Sequence, residues 1–183
     1  EMMAALAESE RRYRVVTDNV SDAIWIFDVD ERRITYTSPS IEQLRGYTAA
    51  ESLEQDLSQM LTPASYEEMM GKLAQRLDAF RAGERGVYVD LVEQPRKQGG
   101  VVLTEVTTRF HVDAVSGKLE IFGCSRDITE RVRAEREARA IAQRFEQVVE
   151  HIPDAVVLLA PNLRLQYVNA ATCRMTQRPM SDL

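Results

Sequence analysis

Apolar residues change their spacing along the chain, and those changes mark the elements. Over residues 1–20, Met2, Leu6, Tyr13, Val16 and Val20 fall at helical steps, which predicts an amphipathic helix. Residues 23–27 (AIWIF) and 33–37 (RITYT) are short, β-rich runs on either side of a polar turn. After Pro39, residues 40–61 carry apolar positions three and four apart, predicting short helical turns broken near Gly46. A longer helix is expected over 63–83, with Thr62 as N-cap, Pro63 in the first turn and Gly83 at the end. Three more strands follow at 86–94, 100–114 and 118–126, joined by turn-rich stretches at 96–100 and 115–118. Two strands, a helical crossing and three strands describe an α+β domain built on a five-stranded antiparallel sheet with helices on one face.

The last strand runs with no Gly or Pro loop into a charged segment, 128–152. There Ala134, Ala138, Ile141, Phe145, Val148 and Ile152 are spaced 4, 3, 4, 3 and 4 apart, an a/d seam expected to pair with a second copy of the chain. The pattern then starts again. Arg12, Val16, Asp22 and Ala23 recur at one constant offset as Arg144, Val148, Asp154 and Ala155, and residues 34–40 overlie 165–171 after a slip of one. The expected organisation is a linker helix (1–20), a complete domain (21–127), a second linker helix (128–152) and the opening of a second domain (153–183). Two strands and a short helix cannot close a core alone, so 153–183 is expected to be mobile unless it packs on a neighbour.

Composition narrows the function. The net charge of −6 and the absence of a basic stripe interleaved with aromatics argue against nucleic-acid binding. No apolar run reaches the roughly 18 residues of a membrane span. Cys124 and Cys173 stand apart with no CxxC partner, which fits a reducing compartment and gives no zinc site. There is no G-x-S-x-G, no HExxH and no phosphate-loop pattern, so an enzyme is not expected.

Residues 122–137 (FGCSRDITERVRAERE) resemble the end of a PAS domain, whose final strand closes on a D-I-T motif, here Asp127, Ile128 and Thr129, before a charged signalling helix. Residues 18–53 resemble the family's opening: Gly46, Tyr47, Glu51 and Leu53 match its G-Y-x-x-x-E-x-L run, while Ser38-Pro39-Ser40 stands where Asn often leads. Residues 93–110 are similar to its K-D-G-x-x-x-W-x-E segment, with Gln98 for Asp and Leu103 for Trp. The resemblance implies a bacterial sensory module in a tandem array. Such a module is cytoplasmic and dimeric, and precedes an output domain such as a histidine kinase of a two-component system or a diguanylate cyclase.

It also implies a pocket between sheet and helices, for which Trp25, Phe27, Leu44, Tyr47, Met60, Met69, Leu73, Tyr88, Phe110 and Phe122 are the expected lining. The same side chains could simply fill the core, which leaves two readings: a sensor for a small organic ligand, and a ligand-free dimerisation or protein-interaction module. Haem is argued against because haem-binding proteins of the family it resembles usually carry the iron ligand on the long helix, and 63–83 has no histidine; His111, on a strand, is read as a surface or hydrogen-bonded residue. Covalent flavin is argued against because the complete unit lacks an N-C-R-F-L-Q-like segment, and TCRMTQ (172–177) follows its strand too early. The cofactor is therefore left unknown.

Overall fold

The computed structural model describes residues 21–177. The helix predicted over 1–20 lies outside the described residues. The chain divides into two compact units, one running to Glu130 and the other starting at Arg131.

In the first unit, β1 (Ala23–Asp28) and β2 (Arg33–Thr37) form a hairpin, followed by α1 (Ser40–Arg45), α2 (Ala49–Leu53), α3 (Leu57–Met60) and α4 (Pro63–Arg81). The strands β3 (Val87–Pro95), β4 (Val101–Val112) and β5 (Leu119–Asp127) complete a sheet in the order β2-β1-β5-β4-β3. Every neighbouring pair is antiparallel. The α+β architecture expected from the sequence is the one observed.

Local chemistry sets the breaks. Gly46 ends α1 at φ 81°, a conformation that favours glycine, and its N–H returns to Glu42 O at 2.8 Å. Thr48 and Glu51 close a reciprocal capping box at α2. Thr62 Oγ1 caps α4 by accepting from Ser65 N, and Pro63 follows at the first helical position, where its missing N–H costs nothing.

The sheet's inner face carries Phe27, Ile34, Val92, Val106, Phe110 and Ile121, all buried. Leu73, Leu77 and Phe80 of α4 pack against this layer, yet no residue of α4 is fully buried. The helix covers the sheet without sealing onto it. A second cluster, Ala23, Ile41, Leu44 and Val102, fixes α1 to one end of the sheet. Arg45 is fully buried beside it, donating to Pro95 O (3.1 Å), Gln55 Oε1 (3.1 Å) and Gln59 O (3.4 Å), so one guanidinium ties α1, the α2–α4 segment and the β3 end together.

The helix α5 (Thr129–His151) begins with the last two residues of the first unit, and in the second unit it is followed by β6 (Val157–Leu159), β7 (Leu165–Val168) and α6 (Ala170–Thr176). The β6–β7 hairpin repeats β1–β2 in detail. Each has a register shift at the same place, between Ile26 and Phe27 and between Leu158 and Leu159. Each turn also has a residue at positive φ, Arg32 at 55° and Leu163 at 62°. Asn169 organises this unit. Its Nδ2 donates to Val149 O, Ile152 O and Asp154 O, and its Oδ1 accepts from Val156 N, Thr172 N and Thr172 Oγ1. The segment expected to be mobile unless packed thus has regular elements and a saturated buried hub.

The seam predicted on α5 stands on its exposed flank: Ile141, Phe145 and Val148 are 70%, 57% and 64% exposed. Ala134 and Ala138 are exposed as well. Ile152, the sixth predicted member, lies one residue beyond the helix and is half-buried, because the chain turns there toward β6. The buried residue of this turn is instead Val149.

Candidate functional site

A cavity of about 90 Å³ lies between α4 and the inner face of the first unit's sheet. Its wall is mostly apolar: Trp25 and Phe27 of β1, Ile34 of β2, Met60 of α3, Met69, Met70 and Leu73 of α4, Val92 of β3, Val106 and Phe110 of β4, and Ile121 of β5. The polar members are Thr37, Arg76, Gln94, Thr108 and Ser125.

Trp25 is placed by a neighbour with no side chain. It lies opposite Gly123 on β5, and a Cβ built on Gly123 would come within 3.0 Å of three atoms of the indole ring. The ring therefore crosses over Gly123, which lets Nε1 donate to Ser125 Oγ at 2.9 Å. Ser125 Oγ also accepts from Gln94 Nε2 (3.3 Å), and the same amide nitrogen donates to Thr104 Oγ1 (3.0 Å). Thr104 Oγ1 in turn donates to Val92 O at 2.8 Å. These bonds make a closed polar strip along one wall.

Charge at the cavity edge is cancelled locally. Arg76 grips the buried Asp90 with two hydrogen bonds of 2.7 and 2.9 Å, and its guanidinium lies 4.4 Å from the centre of the Tyr88 ring. Lys72 adds a third bond to Asp90 at 2.9 Å and also pairs with Glu68. The Arg76 bonds hold the Asp90 carboxyl below its ordinary range, against the opposing pull of burial.

Thr37 differs from the other polar lining groups described above. It is 5% exposed, and its Oγ1 is buried with no hydrogen-bond partner among the described residues.

Of the ten residues expected to line the pocket, Trp25, Phe27, Met60, Met69, Leu73 and Phe110 do so. Four do not. Leu44 is buried in the cluster that joins α1 to Ala23 and Val102. Tyr47 follows the Gly46 turn and lies under two cations, with Arg45 5.1 Å and Lys97 5.8 Å from its ring centre. Tyr88 packs edge-on to Phe110 at 6.1 Å and under the Arg76 guanidinium, which occupies its ring away from the wall. Phe122 points to the opposite face of the sheet, where it is 38% exposed and stacks on His111 at 5.0 Å. A strand alternates its side chains, so Ile121 and Ser125 face the cavity and Phe122 cannot.

Sequence reasoning passed over every polar lining residue. The signal for Gln94, Thr108 and Ser125 was present, since each sits two or four residues from an inward apolar neighbour. The signal for Arg76 was its i+4 spacing from Lys72.

The predicted transmission residues occupy the exit of β5. Asp127 Oδ1 accepts from Thr129 N (2.8 Å), while Oδ2 pairs with Arg96 Nη2 (3.0 Å) on the β3–β4 turn. Ile128 is 3% exposed and donates its N–H to Leu103 O at 3.1 Å, which extends the β4–β5 ladder by one step. Thr129 then begins α5. The two half-buried thiols lie elsewhere: Cys124 on the outer face near Asp22, with its pKa raised by burial, and Cys173 on α6. Among the described residues no group of three or more His, Cys, Asp or Glu could hold a metal ion, and no helix is long and apolar enough to cross a membrane.

Comparison with known proteins gives two family matches in tandem: the PAS fold over residues 11–128 and a PAS domain over residues 143–183. The methyl sulfide methyltransferase-associated sensor of Methanosarcina acetivorans is 32% identical over 149 residues. That alignment takes in 80% of this chain but 14% of the relative, so the chain spans only a small part of it. Among solved structures, the PAS domain of a Colwellia psychrerythraea protein superposes with a TM-score of 0.55 at 19% identity, over 66% of this chain and 97% of that one. A sensory box histidine kinase/response regulator from Burkholderia thailandensis gives 0.55 at 16% identity, over 74% and 98%. At these identities the structural matches speak for the fold alone.

Proposed function

The chain belongs to the PAS family, and from that premise we propose that its first unit senses a small molecule held in the cavity and passes the result through α5 to an output domain. A sensory role is supported by a relative that is itself described as a sensor. The finer statements rest on one observation. Strand β5 both lines the cavity, through Ile121 and Ser125, and continues without a loop into α5. A ligand that moves Ser125, or the Trp25 and Gln94 side chains bonded to it, acts two residues from Asp127, whose carboxylate caps the helix start.

The mechanism is a shift of population. A ligand changes the output only if it binds one arrangement of strand and helix better than the other. In this reading the flank of Ala134, Ala138, Ile141, Phe145 and Val148 pairs two copies of the chain in the cytoplasm. The output domain is a histidine kinase or a diguanylate cyclase.

A second reading, a ligand-free dimerisation module, has one observation in its favour. The cavity is smaller than the roughly 150 Å³ void that admits benzene, and Met60, Met69 and Met70 on its wall are adaptable enough to fill space. Native mass spectrometry of freshly purified protein separates the two. A dimer carrying an added small mass supports the sensor. A dimer without added mass, unchanged by ligand screening, supports the interaction module. A monomer at all concentrations overturns the pairing.

A further inference from the structure

We propose that the cavity is built for a small, uncharged molecule with an apolar body and a single hydrogen-bonding group, and that Thr37 Oγ1 is the partner of that group. The inference rests on the sensory reading above and names the chemistry of its ligand. It begins with the hydroxyl. A buried polar atom without a partner is a standing cost to the fold, and interiors avoid it. Thr37, a residue of the cavity lining, carries such an atom.

The chain supplies its own control. In the second unit the residue in the same place is Val168, the last residue of β7, opposite Val157 just as Thr37 lies opposite Trp25. Each is followed by a buried residue whose side chain accepts a backbone N–H at the start of the hairpin: Ser38 Oγ from Ile24 N, in β1, and Asn169 Oδ1 from Val156 N, just before β6. Val168 is 2% exposed, so this corner of the fold accepts an apolar β-branched side chain. The hydroxyl of Thr37 is not needed to make the hairpin. Its use lies in the cavity.

Charge and size narrow the class. Arg76, the charged residue of the wall, is committed to Asp90 through both terminal nitrogens, and Lys72 and Glu68 complete a neutral group of four. An anion would have to displace a buried carboxylate, and a cation would have to displace Arg76 or Lys72. A volume of about 90 Å³ against the roughly 150 Å³ void that holds six-carbon benzene sets the ligand at roughly three to five non-hydrogen atoms.

The test uses the whole chain and its single tryptophan, Trp25, whose emission reports on the cavity wall. The probes are 1-butanol, 1-chlorobutane, butyrate and butylammonium, matched in length and different in head group. Saturable binding is expected for 1-butanol and more weakly for 1-chlorobutane, with none for the two ions. Thr37→Val should weaken 1-butanol about five-fold, the loss of one hydrogen bond, and leave 1-chlorobutane unchanged. Thr37→Ser keeps the hydroxyl and should keep most of the 1-butanol affinity, and a thermal melt shows that each variant is folded. If butyrate or butylammonium binds best, or if Thr37→Val leaves 1-butanol unaffected, the ligand class is wrong while the sensory cavity stands. If none of the four saturates and the purified protein carries no small mass, the sensory reading falls with it.

Discussion

Replacing Gly123 with Ala tests the geometry on which the cavity depends. In an ordinary strand this change stabilises, because glycine loses more backbone freedom on folding; the gain is about 0.5–1 kcal/mol. Gly123 is not among the glycines at positive φ, so the backbone alone predicts that sign. The neighbour reverses it. The new Cβ would overlap three atoms of the Trp25 indole, and these belong to a rigid ring rather than to the end of a flexible side chain. Relief requires the ring to swing away and to give up its bond to Ser125 Oγ. Overpacking of this kind costs about 1–3 kcal/mol and the lost hydrogen bond about 1 kcal/mol more. Set against the backbone gain, Gly123→Ala should destabilise the first unit by about 1–3 kcal/mol. Urea unfolding followed by far-UV circular dichroism measures this, and a red shift of Trp25 emission in the native state should accompany it. Gly71 is the control: it is exposed on α4, and a methyl group added there would meet nothing within 4 Å. Gly71→Ala should stabilise by about 0.5–1 kcal/mol. A Gly123→Ala variant as stable as the parent, with unchanged emission, would refute the placement of Trp25.

Three further outcomes follow from named contacts. Asp90→Asn should cost about 2–3 kcal/mol at neutral pH, less than a fully buried ion pair because Arg76 and Lys72 are partly exposed. Since Arg76 lowers the folded-state pKa of Asp90, the stabilisation is complete above the unfolded value near 4 and fades as pH falls through the folded value. Acid titration of the variant should therefore show a shallower loss of stability below about pH 4, and an unchanged acid limb would remove Asp90 from the account. Arg45→Met leaves Pro95 O, Gln55 and Gln59 without their shared donor and should lower stability by about 2–4 kcal/mol in denaturant melts; a neutral result would mean that burial of the charge offsets its bonds. Ile141→Asp or Phe145→Asp should weaken self-association in sedimentation velocity, and an unchanged profile would count against the α5 seam.

The pattern of the sequence alone determined the order and type of the elements, the antiparallel five-stranded sheet, the repeat and the run of β5 into α5. Those features are local. Thr62-Pro63 starts a helix and Gly46 ends one whatever surrounds them, and Ile141, Phe145 and Val148 keep their helical spacing while mostly exposed. Which face each strand turns inward was not legible where both parities are apolar. Along 118–124 both Ile121 and Phe122 are hydrophobic, and only pairing with β1 and β4 shows that Ile121 faces the core. The same holds for α1, where Ile41 reaches the cavity wall while Leu44 is spent on Ala23 and Val102. Six apolar lining residues were legible in the sequence, but the polar chemistry of the cavity belongs to the tertiary structure. Trp25 needs Gly123 about a hundred residues away, Arg76 needs Asp90 on another element, and the hydroxyl of Thr37 stands out only once its surroundings exclude every partner. A side chain's spacing is written in the chain, but what it touches is fixed by packing between distant segments, and the chemistry of the site comes from those contacts.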